Sequence, residues 1–229
     1  VAACGGAQTP TQAPTAEPNA CAPGQLALKT AGTVTIGADN PAYPPYFEIP
    51  ANPTAPWELG DPTTGEGFEG AVAYAVAREI GFAPENVVWV VTPFDASFQP
   101  GPKSFDFYIT QVSYRPERAE AVDMSDGYYF VNQAVVALAG TPVADATTIS
   151  QLKQYKFGAQ TATTSYDTIV NVIEPSQAPS AFNANADAIT ALQNGQVDAI
   201  VVDLPTAFFI TAVQLEGGTI VGQFEAPEE

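Results

Sequence analysis

The chain has 229 residues, 46% of them hydrophobic, which is enough for a folded core in one large domain or two modest ones. Its 25 Asp and Glu residues outnumber seven Lys and Arg residues and give a formal net charge of −18. This charge argues against nucleic acid as a partner, because the chain cannot neutralise a run of phosphates, and it equally argues against electrostatic binding to anionic lipid.

Residues 1–25 are rich in Ala, Pro, Thr and Gln without apolar periodicity, which is typical of a disordered tether. The opening sequence, VAACGG, resembles the lipobox of bacterial lipoproteins, in which a cysteine after small residues becomes the lipidated N-terminus. That resemblance implies lipidation at Cys4; the alternative is an ordinary cysteine in an Ala-rich tail. The only thiols are Cys4 and Cys21, and the chain has no histidine, so neither a metal site nor a cofactor is predicted.

Strand and helix patterns alternate after the tether. Thr33–Gly37 predicts a short strand, and a Pro-rich loop follows it. In Ala71–Ile80 the apolar side chains recur at helical spacing and Gly81 provides a stop, so this segment predicts a helix. Val87–Val91 predicts a buried strand, and Phe105–Ile109 predicts another.

The second half of the chain continues this alternation and predicts an α/β fold, with a parallel or mixed sheet covered on both faces. The predicted elements are a strand at Gln133–Leu138, a short helix at Ile149–Gln154, a strand at Lys156–Ala159, helices at Thr164–Val172 and Asp187–Asn194, a strand at Val197–Val202 and a final helix from Pro205 to Leu215.

Polar segments follow the predicted strands at 39–48, 110–118, 160–164 and Asp203. In α/β folds, ligands bind beyond the carboxyl ends of the strands. The second segment ends in Arg118, close to several hydroxyl groups, and a guanidinium can hold both oxygens of a carboxylate in a rigid fork. The pattern therefore indicates a receptor for a small carboxylate.

The residues alone leave simpler explanations open. Arg118 can pair with a neighbouring glutamate at a solvated helix start. Asp203, Thr163 and Thr164 each stand before a predicted helix and can cap its N-terminus, a common role for these residue types.

Five stretches, in order, read TVTIGADNPAYPPYFE, GFEGAVAYAVAREIG, PGPKSFDFYITQVSYRPERAEAVDMSDGYY, FGAQTATTSYDTI and ALQNGQVDAIVVDLPTA. Together they resemble extracytoplasmic solute-binding proteins of the polar amino-acid ABC-transporter family, over most of residues 33–210. The resemblance implies an α/β, two-lobed fold of the periplasmic-binding-protein (Venus flytrap) type. Each lobe would contain a mixed sheet, and a two-stranded hinge would join the lobes.

The resemblance also implies how the chain is divided. Residues 1–25 would form the tether, 26–131 lobe 1, 132–222 lobe 2, and 223–229 the start of a second hinge crossing. In the family the chain then returns to complete lobe 1, so we expect this chain to be truncated before that return.

Transferred residue by residue, the family's binding site implies nine ligand-binding positions. Arg118 would hold the α-carboxylate of the ligand together with Thr163 and Thr164, and Asp203 would pair with the α-ammonium. The others would form the wall of lobe 1: Asp39, Tyr43, Thr110, Gln111 and Ser113.

The sequence departs from the family pattern at two of these segments. Ala162 replaces a usual glycine, and Arg115 replaces a common threonine. The second change adds a cation at the mouth of the cleft or on the surface.

The implied function is that of a receptor without enzymatic activity, which binds an amino acid or similar small zwitterion and delivers it to an ABC permease. It would be extracytoplasmic, at the cell surface or in the periplasm, and would contact the membrane only through a lipid anchor. One alternative is a dehydratase-like enzyme on the same fold, which without histidine would depend on Asp, Glu or Tyr for proton transfer. The other is a surface or filament-forming protein that reuses the scaffold.

Overall fold

The computed structural model describes residues 23–225 and builds them around two open β-sheets. Cys4 and most of the predicted tether lie outside these residues; the tether's last three, Pro23–Gln25, form a turn of 3₁₀ helix. Within the described part of the chain, no helix is long and apolar enough to cross a membrane.

Lobe 1 is the part of the chain that surrounds the first sheet. Its strands are β1 (Val34–Ala38), β2 (Val87–Val91) and β3 (Phe107–Tyr108), and its helices are α1 (Phe68–Glu79) and α2 (Pro116–Ala119). The described strands pair in parallel in the order β2–β1–β3. Helix α1 packs its small residues Ala73 and Ala77 against Val34 and Ile36 of β1, which lets helix and sheet approach closely.

Lobe 2 surrounds the second sheet. Its strands are β4 (Gln133–Leu138), β5 (Phe157–Gln160), β6 (Ser180–Phe182), β7 (Ala199–Asp203) and β8 (Gly218–Phe224), and its helices are α3 (Ile149–Leu152), α4 (Thr164–Thr168), α5 (Asn185–Gln193) and α6 (Leu204–Phe209). Two of the helices, α4 and α6, continue as π-helical turns at Ile169–Ile173 and Ile210–Gln214.

The sheet of lobe 2 has the order β6–β5–β7–β4–β8, and β4 runs antiparallel to both of its neighbours, so this sheet is mixed. Successive residues of β4 point to opposite faces. Ala134 and Val136 belong to one buried apolar cluster, and Val135 and Ala137 belong to another. Both faces of the sheet are therefore covered, as the sequence predicts.

Two strand predictions need correction. The prediction of a buried strand at 87–91 is wrong about burial: β2 lies at an edge of the described sheet, and Val88 remains 44% exposed. The strand predicted at 105–109 shortens to two residues. There the Asp106 carboxylate accepts the backbone N–H groups of Lys29 and Thr35, each at 2.7 Å, and so ties the loop to the start of β1 with a side chain.

Two strands, β6 and β8, are not predicted from the sequence at all. Strand β6 is three residues long and mostly exposed. Strand β8 contains Gly218 and Gly222, and its register against β4 shifts between Val135 and Val136. It continues to Phe224, two residues beyond the predicted end of lobe 2.

Candidate functional site

A cleft between the lobes collects polar side chains from the carboxyl ends of β1, β3, β5 and β7. All nine predicted ligand-binding residues line it. It is also lined by residues that the sequence reasoning did not select: Pro41, Phe94, Gln160, Ser165, Ala184, Asn185 and Thr206.

Arg118 is the cation of this cleft and is only 3% exposed. Its Nη1 donates to the Ser113 carbonyl at 2.7 Å, and its Nη2 crosses to lobe 2 and donates to the Ala162 carbonyl at 2.7 Å. The guanidinium carbon lies 4.4 Å from the ring centre of Phe98 and 5.6 Å from that of Phe94. These contacts fix the guanidinium without neutralising its charge.

Among residues 23–225, no carboxylate forms an ion pair with Arg118. The alternative explanation, pairing with a neighbouring glutamate, therefore does not hold in the structure. Burial and the nearby charge of Arg115 lower the pKa of Arg118 to about 10, so the group stays positively charged at neutral pH. The cleft thus contains a buried cation with no anionic partner from the described residues.

Arg115, expected to add a cation at the mouth of the cleft or on the surface, lies outside the lining of the cleft and is paired with carboxylates. Its guanidinium forms an ion pair with Asp167 of α4, and it lies 3.8 Å from Glu117. Since α4 belongs to lobe 2, this ion pair joins the two lobes beside the cleft.

Asp203, at the end of β7, provides an anion on the opposite lobe. Its Oδ1 accepts from Nε2 of Gln133 at 2.6 Å, and the same nitrogen lies 3.3 Å from Oγ1 of Thr164. The Asp203 side chain makes no capping hydrogen bond to α6, so helix capping does not explain this residue. Burial raises the pKa of Asp203 to about 6, despite the hydrogen bond from Gln133.

Thr163 does cap a helix, as its alternative explanation proposed. Its Oγ1 accepts from the backbone N–H of Tyr166 at 3.1 Å and donates to the carbonyl of Gln160 at 2.7 Å. Ala162, at the usual glycine position, takes a left-handed φ of 60°. Both residues shape the turn that brings the start of α4 to the cleft.

The wall from lobe 1 begins with Asp39. Its backbone N–H donates to Oγ1 of Thr110 at 3.1 Å, and its Oδ2 accepts from Nε2 of Gln160 in lobe 2 at 3.0 Å. Burial raises the pKa of Asp39, and no cation among the described residues pairs with it. Tyr43 is 5% exposed and meets Phe209 of lobe 2 edge to face, with ring centres 6.4 Å apart.

Three polar residues that organise the site were not selected from the sequence. Gln160 lies in a polar segment that the sequence did single out, at the end of β5. Gln133 begins an otherwise apolar strand and links Asp203, Thr164 and Ser165, whose Oγ donates to its Oε1 at 2.5 Å. Glu69, the third, is 1% exposed in the first turn of α1 and accepts the backbone N–H of Gln111 at 2.7 Å. A polar residue at an apolar position is the signal that could have identified Gln133.

Comparison with known proteins identifies the class to which this two-lobed fold belongs. The model of the bacterial extracellular solute-binding proteins, family 3, matches residues 49–182, more than half of the chain. The chain therefore belongs to this family of solute-binding proteins, and its two-lobed α/β fold agrees with the prediction from the sequence.

Individual relatives lie within the same class. A probable amino-acid ABC transporter periplasmic-binding protein from Sinorhizobium fredii is 30% identical over 186 residues, covering 80% of this chain and 61% of the relative. A probable histidine-binding protein from Campylobacter jejuni is 31% identical over 143 residues, covering 62% and 53%. The chain thus spans less than two thirds of the length of either relative.

Solved structures of an ancestral arginine-binding protein, one bound to arginine and one to glutamine, superpose with TM-scores of 0.67 and 0.68. Each is 25% identical to this chain. The first match covers 86% of this chain and 81% of that one, and the second covers 87% and 82%.

Proposed function

We propose that this protein is an extracytoplasmic receptor for an amino acid with a cationic side chain, which it delivers to an ABC permease. The observation that carries the proposal is the set of unpaired charges in the cleft. One buried guanidinium, Arg118, faces the same cleft as two carboxylates, Asp39 and Asp203, and none of the three forms an ion pair among residues 23–225.

The charges of the cleft match those of the proposed ligand. Arg118 contributes +1, and Asp39 and Asp203 contribute −1 each when ionised, so these three groups sum to −1. A cationic amino acid has one carboxylate and two positive groups and sums to +1. Buried charges are costly unless they are paired, so a ligand of this pattern stabilises all three groups at once.

Each charge of the proposed ligand has an oppositely charged side chain as a partner in the cleft. Arg118 would hold the α-carboxylate beside the start of α4, and Asp203 would hold the α-ammonium. Asp39, at the end of β1, would face the cationic side chain, and Tyr43 and Phe94 would cover its apolar stem. Charge-assisted hydrogen bonds of this kind contribute roughly 1.5–3 kcal/mol each.

Isothermal titration calorimetry with five amino acids tests the proposal. L-arginine and L-lysine are the candidate ligands, L-glutamine is neutral, L-histidine is mostly neutral at a pH of about 7.5, and L-glutamate carries the wrong charge. We expect the tightest binding from a cationic ligand and none from L-glutamate. Absence of binding by all five, or tightest binding by a neutral amino acid or by L-glutamate, would contradict the proposal.

Acidification should weaken binding of the cationic ligand. The pKa of Asp203 is about 6 in the free protein, and a bound ammonium would lower it, so affinity is full above this pKa and declines below it. Protonation of Asp203 alone should make binding of L-arginine at least roughly tenfold weaker at a pH of about 5 than at a pH of about 7.5. Asp203→Asn should bind more weakly at both pH values and lose the roughly tenfold part of this dependence that comes from Asp203. If the wild type bound L-arginine with the same affinity at both pH values, Asp203 would be excluded as the ammonium partner.

We further propose that Cys4 carries a lipid anchor, on the support of the VAACGG sequence alone. Metabolic labelling of the native host with a fatty-acid analogue should mark the wild-type protein and not Cys4→Ser. Equal labelling of the two proteins, or no label on the wild type, would disprove lipidation at this cysteine.

A further inference from the structure

We propose that Glu69 is a positioning residue for the ligand site: its carboxylate holds Gln111 in place in the cleft and connects it to Tyr128, in the segment that joins the lobes. The inference rests on the proposed function of the cleft. It concerns a residue that lies outside the lining of the cleft and carries no proposed contact with the ligand.

The Glu69 carboxylate is enclosed by hydrogen-bond donors. Oε1 accepts the backbone N–H of Gln111 at 2.7 Å and the hydroxyl of Tyr128 at 2.6 Å, and Oε2 accepts from the side-chain amide of Gln111. Among the described residues it has no cationic partner. A buried carboxylate is tolerated in a fold when hydrogen-bond donors replace the water that it loses. Here the backbone N–H and the side-chain amide of Gln111 are two of those donors.

Gln111 needs this support because its backbone is strained. Its φ is 45°, in the left-handed region that a non-glycine residue rarely adopts because its Cβ crowds the following carbonyl oxygen. Such a conformation persists only where surrounding contacts determine it. The two bonds to Glu69 are contacts of that kind, and they hold a residue that lines the cleft.

Glu69 is itself placed by the start of α1. Gly67 has a φ of 86°, and a Cβ there would lie 2.6 Å from the carbonyl oxygen of Tyr46. The close passage lets the backbone N–H of Glu69 donate to that same carbonyl at 2.9 Å. Only glycine fits this position, so the carboxylate reaches Gln111 from a rigid helix start.

The link to Tyr128 extends the contact towards the other lobe. Tyr128 lies between α2 of lobe 1 and β4 of lobe 2, and its ring is about half exposed. Its hydroxyl and the backbone of Gln111 share one carboxylate oxygen. A movement of the connecting segment is therefore coupled directly to a residue of the cleft.

Glu69→Gln tests the clamp on Gln111. The new amide can still accept the backbone N–H of Gln111, but its own N–H₂ faces the N–H₂ of the Gln111 side chain. That bond is lost, or the Gln111 amide rotates to present its oxygen and no longer keeps its orientation in the cleft. We expect about tenfold weaker binding of L-arginine, measured by calorimetry at a pH of about 8, where Glu69 is mostly ionised. In a Gln111→Ala background the same substitution should change affinity less than twofold or so, because the partner of the lost bond is absent. If the changes in binding free energy caused by Glu69→Gln and Gln111→Ala simply added in the double variant, the proposal would be overturned.

A pH profile separates positioning from general support of the fold. Burial raises the pKa of Glu69 to about 7, and the groups whose charges act on it or feel it are Tyr46, Tyr108, Tyr128 and Asp203. The hydrogen bond from Tyr128 lowers this pKa. The affinity should therefore change near neutral pH as Glu69 titrates. Tyr128→Phe should shift this change to higher pH, and Glu69→Gln should remove it. A profile that neither variant alters would overturn the proposal.

Hydrogen exchange keeps the inference testable without a ligand. The amide of Gln111 should exchange faster in Glu69→Ala than in the wild type, while amides of β4 in lobe 2 stay unchanged. If the wild type binds none of the amino acids, the proposed function fails and this measurement still decides the role of Glu69. Unchanged exchange at Gln111 would show that Glu69 does not position it.

Discussion

Arg118→Ala should weaken binding of L-arginine by at least about 100-fold, because two charge-assisted hydrogen bonds of roughly 1.5–3 kcal/mol each are lost from the ligand carboxylate. Arg118 is the buried cation of the cleft, and the cation beside it, Arg115, is already paired with Asp167. No described side chain is therefore placed to take over its role. Calorimetry with L-arginine measures the loss directly.

The fold of the variant needs its own measurement. Arg118 also donates to the carbonyls of Ser113 and Ala162 and packs over Phe98, so alanine removes contacts within and between lobes. Thermal unfolding shows whether the variant remains folded at the temperature of the titration. Arg118→Lys keeps the charge without the fork and should bind with intermediate affinity.

Arg78→Ala is the matched control. Arg78 lies exposed near the end of α1 and is the remaining arginine of the chain besides Arg115 and Arg118. Replacing it by alanine changes the net charge by the same amount as Arg118→Ala. The affinity of the Arg78→Ala variant for L-arginine should stay within about twofold of that of the wild type. An Arg118→Ala variant that is folded and binds like Arg78→Ala would show that the carboxylate is held elsewhere.

Local patterns in the sequence are sufficient to predict most of the helices and strands of the core. The spacing of apolar residues predicts α1 within three residues at its start, and the apolar run at 133–138 matches β4. The burial of β2 could not be predicted in this way, because it depends on which strands lie beside it. An apolar run looks the same at an edge of a sheet as at its centre.

The candidate site shows a similar division. Family motifs select nine residues that the fold brings to one cleft, although Asp39 and Asp203 are far apart in sequence. They do not select Gln133, which lies in an apolar strand, or Glu69, whose contact with Gln111 joins residues 42 positions apart. The partners of a buried polar group are set by tertiary packing, so a single sequence carries little signal for them.

Only the structure shows for which of the predicted site residues the simpler explanation, helix capping, holds. Thr163 does cap α4, whereas Asp203 precedes α6 without capping it. Both have residue types and positions that fit an N-cap equally well. The difference arises because Gln133, from the neighbouring strand β4, engages the carboxylate of Asp203.

Asp39→Asn should change the selectivity of the cleft more than its overall affinity. The carboxylate of Asp39 is the proposed partner of a cationic side chain, and asparagine preserves the size of the group while removing its charge. Binding of L-arginine should weaken by about 10- to 100-fold, since one charge-assisted contact is lost, and binding of L-glutamine should change by only about threefold or less. Competition calorimetry with the two amino acids measures this ratio.

Asp95→Asn provides the control for Asp39, because it removes a nearby carboxylate that does not line the cleft. The negative charge of Asp95 raises the pKa of Asp39, so its loss should leave Asp39 more fully ionised. The preference for L-arginine over L-glutamine should therefore be retained in this variant. Equal losses of selectivity in the two variants would mean that the general negative potential of the cleft, rather than contact with Asp39, selects the cationic side chain. A loss confined to Asp39→Asn would assign the side-chain contact to this carboxylate, at the end of the first strand.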